Sequence, residues 1–152
     1  MARCHVSVQH ADFDFATELG WLGDGSGAVA SFIGRVRDDT RDGVPLTAMT
    51  LEHYPGMTER VLEELAQAVA ARFALDGVLV LHRVGRLLPG EQIVLVVATA
   101  PHRHAALQAV DCLMDHLKSV APFWKCEEYG AARHWVDARD SDQAALARWG
   151  AL

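Results

Sequence analysis

The feature that most constrains the fold is a pair of apolar segments, residues 78–84 and 92–100, joined by a short connection. The connection contains the turn signal Leu-Pro-Gly at 88–90, and it is too short for the crossover that parallel strands require. The two segments are therefore predicted to form an antiparallel hairpin. The sequence thus predicts an α+β fold in which mixed, largely antiparallel sheets pack with helices, as one domain over residues 1–152.

The spacing of apolar residues predicts the other elements. Further strands are predicted at residues 3–9, 28–37, 46–54, from 123 onward and at 133–136. Helices are predicted at residues 12–19 with Asp12 as N-cap, from a cap at Thr58 to a stop at Asp76-Gly77, after residue 102, and from Ser141 onward. Residues 20–27 are predicted to be a glycine-rich loop, and residues 38–45 a charged, mobile connection.

The charge balance limits the partners of the chain. Its formal net charge is -6, with 22% charged and 51% hydrophobic residues. No excess of positive charge is available for a general nucleic-acid or anionic-membrane binder. Any site for an anion must therefore be a local cluster of cations.

The cysteines and the apolar runs bear on the compartment. Cys4, Cys112 and Cys126 are widely spaced and odd in number, which indicates neither a disulfide framework nor a zinc knuckle. The first ten residues lack the apolar stretch of a signal peptide, and no segment approaches the roughly 20 apolar residues of a membrane span. We therefore expect a cytoplasmic protein.

The segment 102–129 carries the strongest chemical signal. An apolar stripe at three- and four-residue steps predicts a helix that ends just after Lys118, because Pro122 makes Ala121 extended. Lys118 then lies in the last turn, and Lys125 lies beyond the break on the next strand. The amines of Lys118 and Lys125 can therefore converge from the helix and the strand. A simpler interpretation is that Lys118 only complements the helix dipole and pairs with Asp115.

Other cations could complete a site with the two lysines. Arg35 and Arg37 are predicted to share one face of a strand, and His102 and Arg103 to lie at a helix N-terminus, where free N–H groups favour anions. A solvated strand edge is the alternative for the arginines. His102 and His104 do not share a helical face and have no third ligand nearby, which disfavours zinc.

Lysine suits two kinds of chemistry here. A desolvated lysine beside other cations has a lowered pKa and can act as acid, base or nucleophile, whereas a charged lysine stabilises anionic intermediates. Alternation places Cys126 opposite Lys125, so we expect Cys126 to be a wall residue and no sulfur carrier.

Ordered motifs run along nearly the whole chain: FIGRVR at 32–37, LEHYPGM at 51–57, HRVG at 82–85, PGE at 89–91, HR at 102–103, MDHLKSVAPFWK at 114–125 and WVDAR at 135–139. Together they resemble the motifs of the large, catalytic subunit of molybdopterin synthase. The resemblance implies an α/β hammerhead fold and a role in molybdenum cofactor biosynthesis. It implies no metal and no cofactor.

The resemblance also implies a reaction and its partners. Sulfur from the C-terminal thiocarboxylate of a small ubiquitin-like subunit would convert cyclic pyranopterin monophosphate into molybdopterin, which carries a dithiolene. The partner's tail would insert into a pocket of this chain. The assembly would be a homodimer of this chain with one small subunit at each end, a heterotetramer.

Residue roles follow from the same resemblance. Lys118 and Lys125 match the catalytic lysines. Substrate binding is implied for Arg35, Val36, Arg37, His102, Arg103, Lys118, Lys125, Cys126 and Glu127. Arg139 is implied as a contributor to the neighbouring subunit's site. We expect Arg37 and Arg103, assisted by His102, to hold the substrate's phosphate, while the partner's C-terminal carboxyl group comes to the lysines.

Two other functions remain open on the sequence. One is a non-catalytic anion-binding or scaffold subunit of the same fold, although both lysines are present. The other is a Schiff-base lysine enzyme acting on a carbonyl substrate, which borohydride trapping would reveal.

Overall fold

The computed structural model describes residues 2–137 and 140–152. Its strands are β1 (Arg3–Gln9), β2 (Ala28–Arg35), β3 (Thr40–Arg41), β4 (Val44–Pro45), β5 (Ala48–His53), β6 (Gly77–Arg83), β7 (Gly85–Leu87), β8 (Gln92–Ala100), β9 (Phe123–Tyr129) and β10 (Ala132–Val136). Its helices are α1 (Phe15–Leu19), α2 (Met57–Arg72), α3 (Arg103–Val120) and α4 (Asp140–Ala147), and Gly20–Leu22 forms a 3-10 turn.

Two four-stranded sheets form the framework. The first has the order β1-β6-β8-β2, in which β1 and β6 are parallel and the other pairs antiparallel. The second has the order β10-β9-β5-β7 and is antiparallel throughout. The prediction of an α+β fold with mixed, largely antiparallel sheets is confirmed, and the predicted hairpin corresponds to the antiparallel pair β6 and β8.

The main core lies between the first sheet and the helices α2 and α3. Strands β6 and β8 are almost wholly buried because both faces of their sheet are covered, which explains their near-continuous apolar sequences. Leu62 of α2, Leu113 of α3 and Val96 of β8 are fully buried in this layer. The opposite face of the sheet packs on Phe13, Leu22 and the turns around α1.

Several predicted boundaries are wrong for identifiable reasons. Asp14, not Asp12, caps α1, since Asp14 Oδ2 accepts from the Thr17 N–H at 3.0 Å. Asp12 Oδ1 instead accepts from the Gln92 amide at 2.9 Å, which ties the loop to β8. The helix α3 continues to Val120, because the restriction imposed by a proline falls on the residue directly before it, and Ala121 is extended with ψ 131°.

Other corrections concern α2, the strand β2 and the connection after it. Gly56, with φ 86°, precedes α2 as N-cap, and Thr58 lies inside the helix. The helix ends at Arg72, before the predicted stop, with Phe73 as its C-cap. The strand β2 ends at a bulge between Gly34 and Arg35, short of residue 37. Residues 38–45 contain the small hairpin of β3 and β4. The final helix begins at Asp140, one residue before the predicted start at Ser141.

Candidate active site

The helix α3 and the edge strand β2 set the ends of the candidate site. The helix follows β8 through a short connection and packs back along the sheet, so it runs in the direction of β2, which is antiparallel to β8. With a rise of 1.5 Å per residue, the 18 residues of α3 separate its ends by roughly 25 Å. Cationic side chains at the two ends of α3 therefore lie far apart on one chain.

Lys118 lies in the last turn of α3 and is exposed. It borders an open groove of about 420 Å³ between α3 and β2. The groove is lined by Ala30, Ser31, Phe32, Leu107, Val110, Asp111, Met114, Asp115, Lys118 and Asp142. The floor of the groove is thus apolar, and the Lys118 amine lies at the end of the groove that is nearest the last residues of β2.

Two carboxylates of this groove, those of Asp111 and Asp115, are engaged by the C-terminal segment. Arg148 lies 2.7 Å from Asp111 Oδ1 and 2.8 Å from Asp115 Oδ2, and the Trp149 indole donates to Asp115 at 2.6 Å. Burial alone would raise the pKa of Asp115, but the hydrogen bonds from Trp149 and Arg148 outweigh it and lower the pKa. Within the described part of the chain, Lys118 makes no ion pair, so the simpler interpretation of a Lys118–Asp115 pair is wrong.

Lys125 lies on β9, directly beyond the break at Pro122, and is exposed. Its charge is felt by the buried imidazole of His82, whose pKa is lowered to about 4, mainly by burial and with smaller contributions from Lys125 and His53. His82 pairs with Val94 and Val94 pairs with Gly34, which places this row at the end of β2. Lys118 and Lys125 thus lie at the same end of the α3–β2 layer.

These two residues are the only lysines in the sequence. Every other permanently cationic side chain is an arginine. Lysine differs from arginine in that its amine can lose its proton when desolvated and can then act as an acid, base or nucleophile. The whole lysine complement of the chain is therefore concentrated at one end of one layer.

Arg35, Val36 and Arg37 follow at the end of β2. Val36 is 3% exposed, and its N–H donates to the Glu91 carbonyl at 2.9 Å. The flanking side chains of Arg35 and Arg37 are both exposed, and neither makes an ion pair with another described residue. Two unpaired guanidinium groups near the lysines suit an anionic ligand.

His102 and Arg103 lie at the other end of α3. His102 is the N-cap, without a capping hydrogen bond from its side chain, and both side chains are exposed. Ala28, the first residue of β2, pairs with Ala100 at this end, whereas Arg35 pairs with Gln92 at the other. The structure therefore separates His102 and Arg103 from Arg35, Arg37 and the lysines of the same chain.

Cys126 and Glu127 lie on β9 after Lys125. Cys126 is 1% exposed, as alternation predicts for a side chain opposite Lys125. Glu127 Oε2 lies 3.3 Å from the Tyr129 hydroxyl, which also lies 3.1 Å from Asp39 Oδ2. Burial and these two carboxylates raise the pKa of Tyr129 to about 12, so Tyr129 remains a hydrogen-bond donor.

The sequence interpretation gave no site role to Thr58 or His82. Both are buried, and both contact the segment that joins the two lysines: Thr58 donates to the Pro122 carbonyl, and His82 stacks on Phe123. A histidine inside the apolar run 78–84 was the available signal. The predicted contributor Arg139 lies outside the described residues.

Residues 2–137 and 140–152 also bear on metal binding and membrane insertion. No group of three or more His, Cys, Asp or Glu side chains there is arranged to hold a metal ion. No helix in the same ranges combines the length and apolar character needed to cross a membrane.

Comparison with known proteins places the chain in a family. The family described as "MoaE protein" matches residues 8–120. A "Molybdopterin synthase catalytic subunit" from Ralstonia nicotianae is 51% identical over 148 residues, covering 95% of this chain and 84% of the relative.

Solved structures agree with this match. The "Molybdopterin biosynthesis MoaE protein from Burkholderia ambifaria MC40-6" has a TM-score of 0.81 and 46% identity, with 100% of each chain covered. A "Protein-protein complex of subunit 1 and 2 of Molybdopterin-converting factor from Helicobacter pylori 26695" shares the fold, with a TM-score of 0.69, 20% identity, and 88% of this chain and 91% of that chain covered. The chain therefore belongs to the MoaE protein family.

Proposed function

We propose that this chain is the catalytic subunit of a molybdopterin synthase and acts as a sulfurtransferase. The sulfur comes from the C-terminal thiocarboxylate of a small ubiquitin-like subunit, and the acceptor is cyclic pyranopterin monophosphate, which becomes the dithiolene of molybdopterin. The observation that carries the proposal is that the only two lysines of the chain lie at one end of the α3–β2 layer, beside Arg35 and Arg37, which make no ion pair with another described residue. Family membership and the name of the R. nicotianae relative support it.

The groove beside Lys118 suits the partner's C-terminal tail. It is open and elongated along α3, and its floor is apolar, with Phe32, Leu107 and Met114 among its lining residues. An extended tail of small residues can lie in such a groove and bring its carboxyl group to the amine at the end. In the complex from H. pylori, a chain of the same fold is part of a complex of two subunits.

The lysines act on the carbonyl of the tail. After the thiocarboxylate sulfur has replaced an oxygen substituent on a substrate carbon, water attacks the acyl carbon, and an ammonium group held close to the acyl oxygen stabilises the negative charge that develops there. The bond between the acyl carbon and sulfur then breaks, which leaves the sulfur on the substrate and a carboxylate on the tail. The amine of the other lysine can accept or donate the proton that moves in this step. The buried thiol of Cys126 is turned away from Lys125 and takes no part, because the partner supplies the sulfur.

The substrate site is built from two copies of the chain. One pyranopterin monophosphate cannot reach Arg103 and Lys118 of the same copy, because the two residues are separated by the length of α3, roughly 25 Å. His102 and Arg103 from a second copy complete the site, together with Arg35 and Arg37 of the first. Arg139 is proposed as a further contribution from the second copy.

A mixing experiment tests this arrangement. Lys118→Ala and Arg103→Ala are each expected to lower turnover strongly, measured as fluorescent oxidised product with thiocarboxylated partner and pyranopterin substrate. After the two variants are unfolded and refolded together, mixed dimers contain one site with both residues intact. The mixture is expected to regain about a quarter of the wild-type rate, because half of the dimers are mixed and half of their sites intact.

The controls separate the alternatives. Light scattering on the isolated chain is expected to give twice the monomer mass of 16.6 kDa. No recovery of turnover in a mixture that contains mixed dimers would place Arg103 and Lys118 in the same copy's site or remove one of them from it. Wild-type protein that binds both partners without turnover would favour the scaffold subunit.

A further inference from the structure

The short connection between the two lysines is held from several sides. It comprises residues 119–124, which are the last two residues of α3, Ala121 and Pro122, and the first two residues of β9. The Phe123 N–H donates to the Ala121 carbonyl at 2.9 Å, which closes a tight turn around Pro122. The Ser119 hydroxyl donates to the Asp142 carbonyl at 3.2 Å. The backbone that sets the placement of Lys118 relative to Lys125 is therefore fixed locally.

Thr58 anchors this connection from α2. Its side chain is fully buried, and its Oγ1 donates to the Pro122 carbonyl at 3.1 Å while accepting from the Tyr54 N–H at 2.9 Å. The hydroxyl thus joins two segments that are 64 residues apart in sequence. A threonine in the first turn of a helix more often bonds within its own helix end, so this long-range contact is specific to the connection.

His82 anchors the other side of Pro122. Its ring stacks on Phe123, with centroids 3.9 Å apart and an angle of 18° between the rings. Its Nδ1 lies 2.8 Å from the Arg83 carbonyl, which can only accept, so Nδ1 carries the proton and the ring plane is fixed. Because burial lowers the pKa of His82 to about 4, the ring is neutral near pH 7 and adds no charge beside Lys125.

We propose that Thr58 and His82 are positioning residues that fix the Lys118 and Lys125 amines relative to each other through the Pro122 connection. The inference rests on the proposed function of the two lysines in sulfur transfer. A buried imidazole and a buried hydroxyl cost more to desolvate than apolar side chains of similar size. The Thr58 hydroxyl bonds directly to the connection, whereas His82 is held by its bond to the Arg83 carbonyl and meets the connection by stacking on Phe123.

Paired substitutions test the role by steady-state kinetics. Thr58→Val removes the hydroxyl with little change in shape, and misplaced catalytic groups lower turnover by ~10- to 100-fold. We expect kcat to fall by that factor while the KM for the pyranopterin and the Kd for the partner stay within twofold. Thr58→Ser keeps the hydroxyl and is expected to restore most of kcat. His82→Phe keeps a stacking ring and is expected to retain more activity than His82→Leu.

Thr99 offers a matched control. It is 1% exposed, and its Oγ1 is a buried hydroxyl without a hydrogen-bond partner in the described structure. Thr99→Val makes the same chemical change as Thr58→Val, but on the opposite face of the first sheet, beside Leu22 and Gly77 and away from the connection. We expect unchanged kcat in this variant.

A second measurement does not depend on sulfur transfer. Reductive methylation with ¹³C-formaldehyde labels only Lys118, Lys125 and the N-terminal amine, because the chain has no other lysine. In NMR spectra, Thr58→Val and His82→Leu are expected to shift the dimethyl-lysine signals and their titration midpoints, and Thr99→Val to leave them in place.

The outcomes are distinguishable. Folded Thr58→Val and His82→Leu proteins with wild-type kcat and unmoved lysine signals would overturn the positioning role. If Thr58→Val does not fold, the His82→Leu and His82→Phe pair decides by the same two readouts. Shifted lysine signals in a protein whose wild type transfers no sulfur would support the placement and refute the proposed function instead.

Discussion

Neighbouring charges decide which side chains of the site are available to a ligand. Asp111 and Asp115 face the groove, but Arg148 and Trp149 occupy their oxygens. Lys118 is therefore left without a counter-ion among the described residues. In a chain of net charge -6, this local pairing is what makes an anion site at the end of α3 feasible.

Cys126 provides a prediction at the scale of one residue. Its thiol is buried on the face of β9 opposite the exposed Lys125. Cys126→Ala is expected to keep turnover within about threefold, because the truncation leaves only a small cavity and touches no reacting atom. Turnover is measured with thiocarboxylated partner. A folded Cys126→Ala protein without activity would mean that the thiol carries sulfur.

Arg103 provides a second prediction at this scale. Loss of one charge-assisted phosphate contact typically weakens binding by roughly ten- to a hundredfold. Arg103→Ala is expected to weaken pyranopterin binding by that factor and to leave the affinity for the small subunit nearly unchanged. Titration of the same variant with each ligand measures both. The opposite pattern would assign Arg103 to the partner interface.

At the scale of elements, the segment that follows α4 is attached to α3 and to the end of α2 by a cluster of polar and aromatic contacts. Trp149 donates to Asp115, packs edge-on against Phe73, and accepts at its carbonyl from Arg72 at 2.8 Å. Since Asp115 and Asp142 both line the groove, the attachment of this helix shapes the groove wall. The C-terminal segment is thus part of the site's construction.

The attachment is predicted to weaken in acid. The pKa of Asp115 is lowered in the folded state, so its contribution to stability is complete above its ordinary value of 3.8 and is lost as the pH falls below it. We expect the fluorescence of Trp149 to change in that range in a protein whose other tryptophans are replaced by phenylalanine. Asp115→Asn should remove the pH dependence of this change. A transition that persists in Asp115→Asn would assign it to another group.

At the scale of elements, the sequence predicts the features that depend on local constraints. The hairpin of β6 and β8 follows from loop length, and the break after α3 follows from Pro122, because both are local constraints. The parallel pairing of β1 with β6 is not local and could not be read from the sequence. The contacts of Thr58 with Pro122 and of His82 with Phe123 are long-range in the same way, so no role in the site could be assigned to Thr58 and His82 from the sequence. The separation of Arg103 from Lys118 does follow from helix length, once α3 is known to be one continuous helix.

At the scale of the whole molecule, burial of His82 couples stability to pH. Its pKa is about 4 in the folded state and near 6.5 when exposed, so the unfolded chain binds more protons between these values. Stability is therefore complete above pH 6.5 and falls as the pH decreases towards 4, by about 3 kcal/mol for this residue. Urea unfolding at several pH values measures the loss. His82→Phe should have a smaller loss than wild type, and an equal loss would show that other groups cause it.

The molecule as a whole is proposed to work as a dimer with two sites. Each copy contributes the C-terminal end of its α3 to one site and the N-terminal end to the other. The first sheet and its helices hold the two ends apart, and the second sheet carries Lys125 to the end where Lys118 lies. In this proposal, sulfur transfer depends on the amines of Lys118 and Lys125, which the rest of the chain holds in place.

Turnover by single lysine variants tests this account most directly. Lys118→Ala and Lys125→Ala, assayed with thiocarboxylated small subunit and cyclic pyranopterin monophosphate, are each expected to reduce the rate of molybdopterin formation by roughly a hundredfold or more. Arg60→Ala, which removes an exposed cation from a surface pair on α2, is the control and should keep the wild-type rate. Either lysine variant retaining most of the wild-type rate, while folded and bound to its partner, would contradict the account.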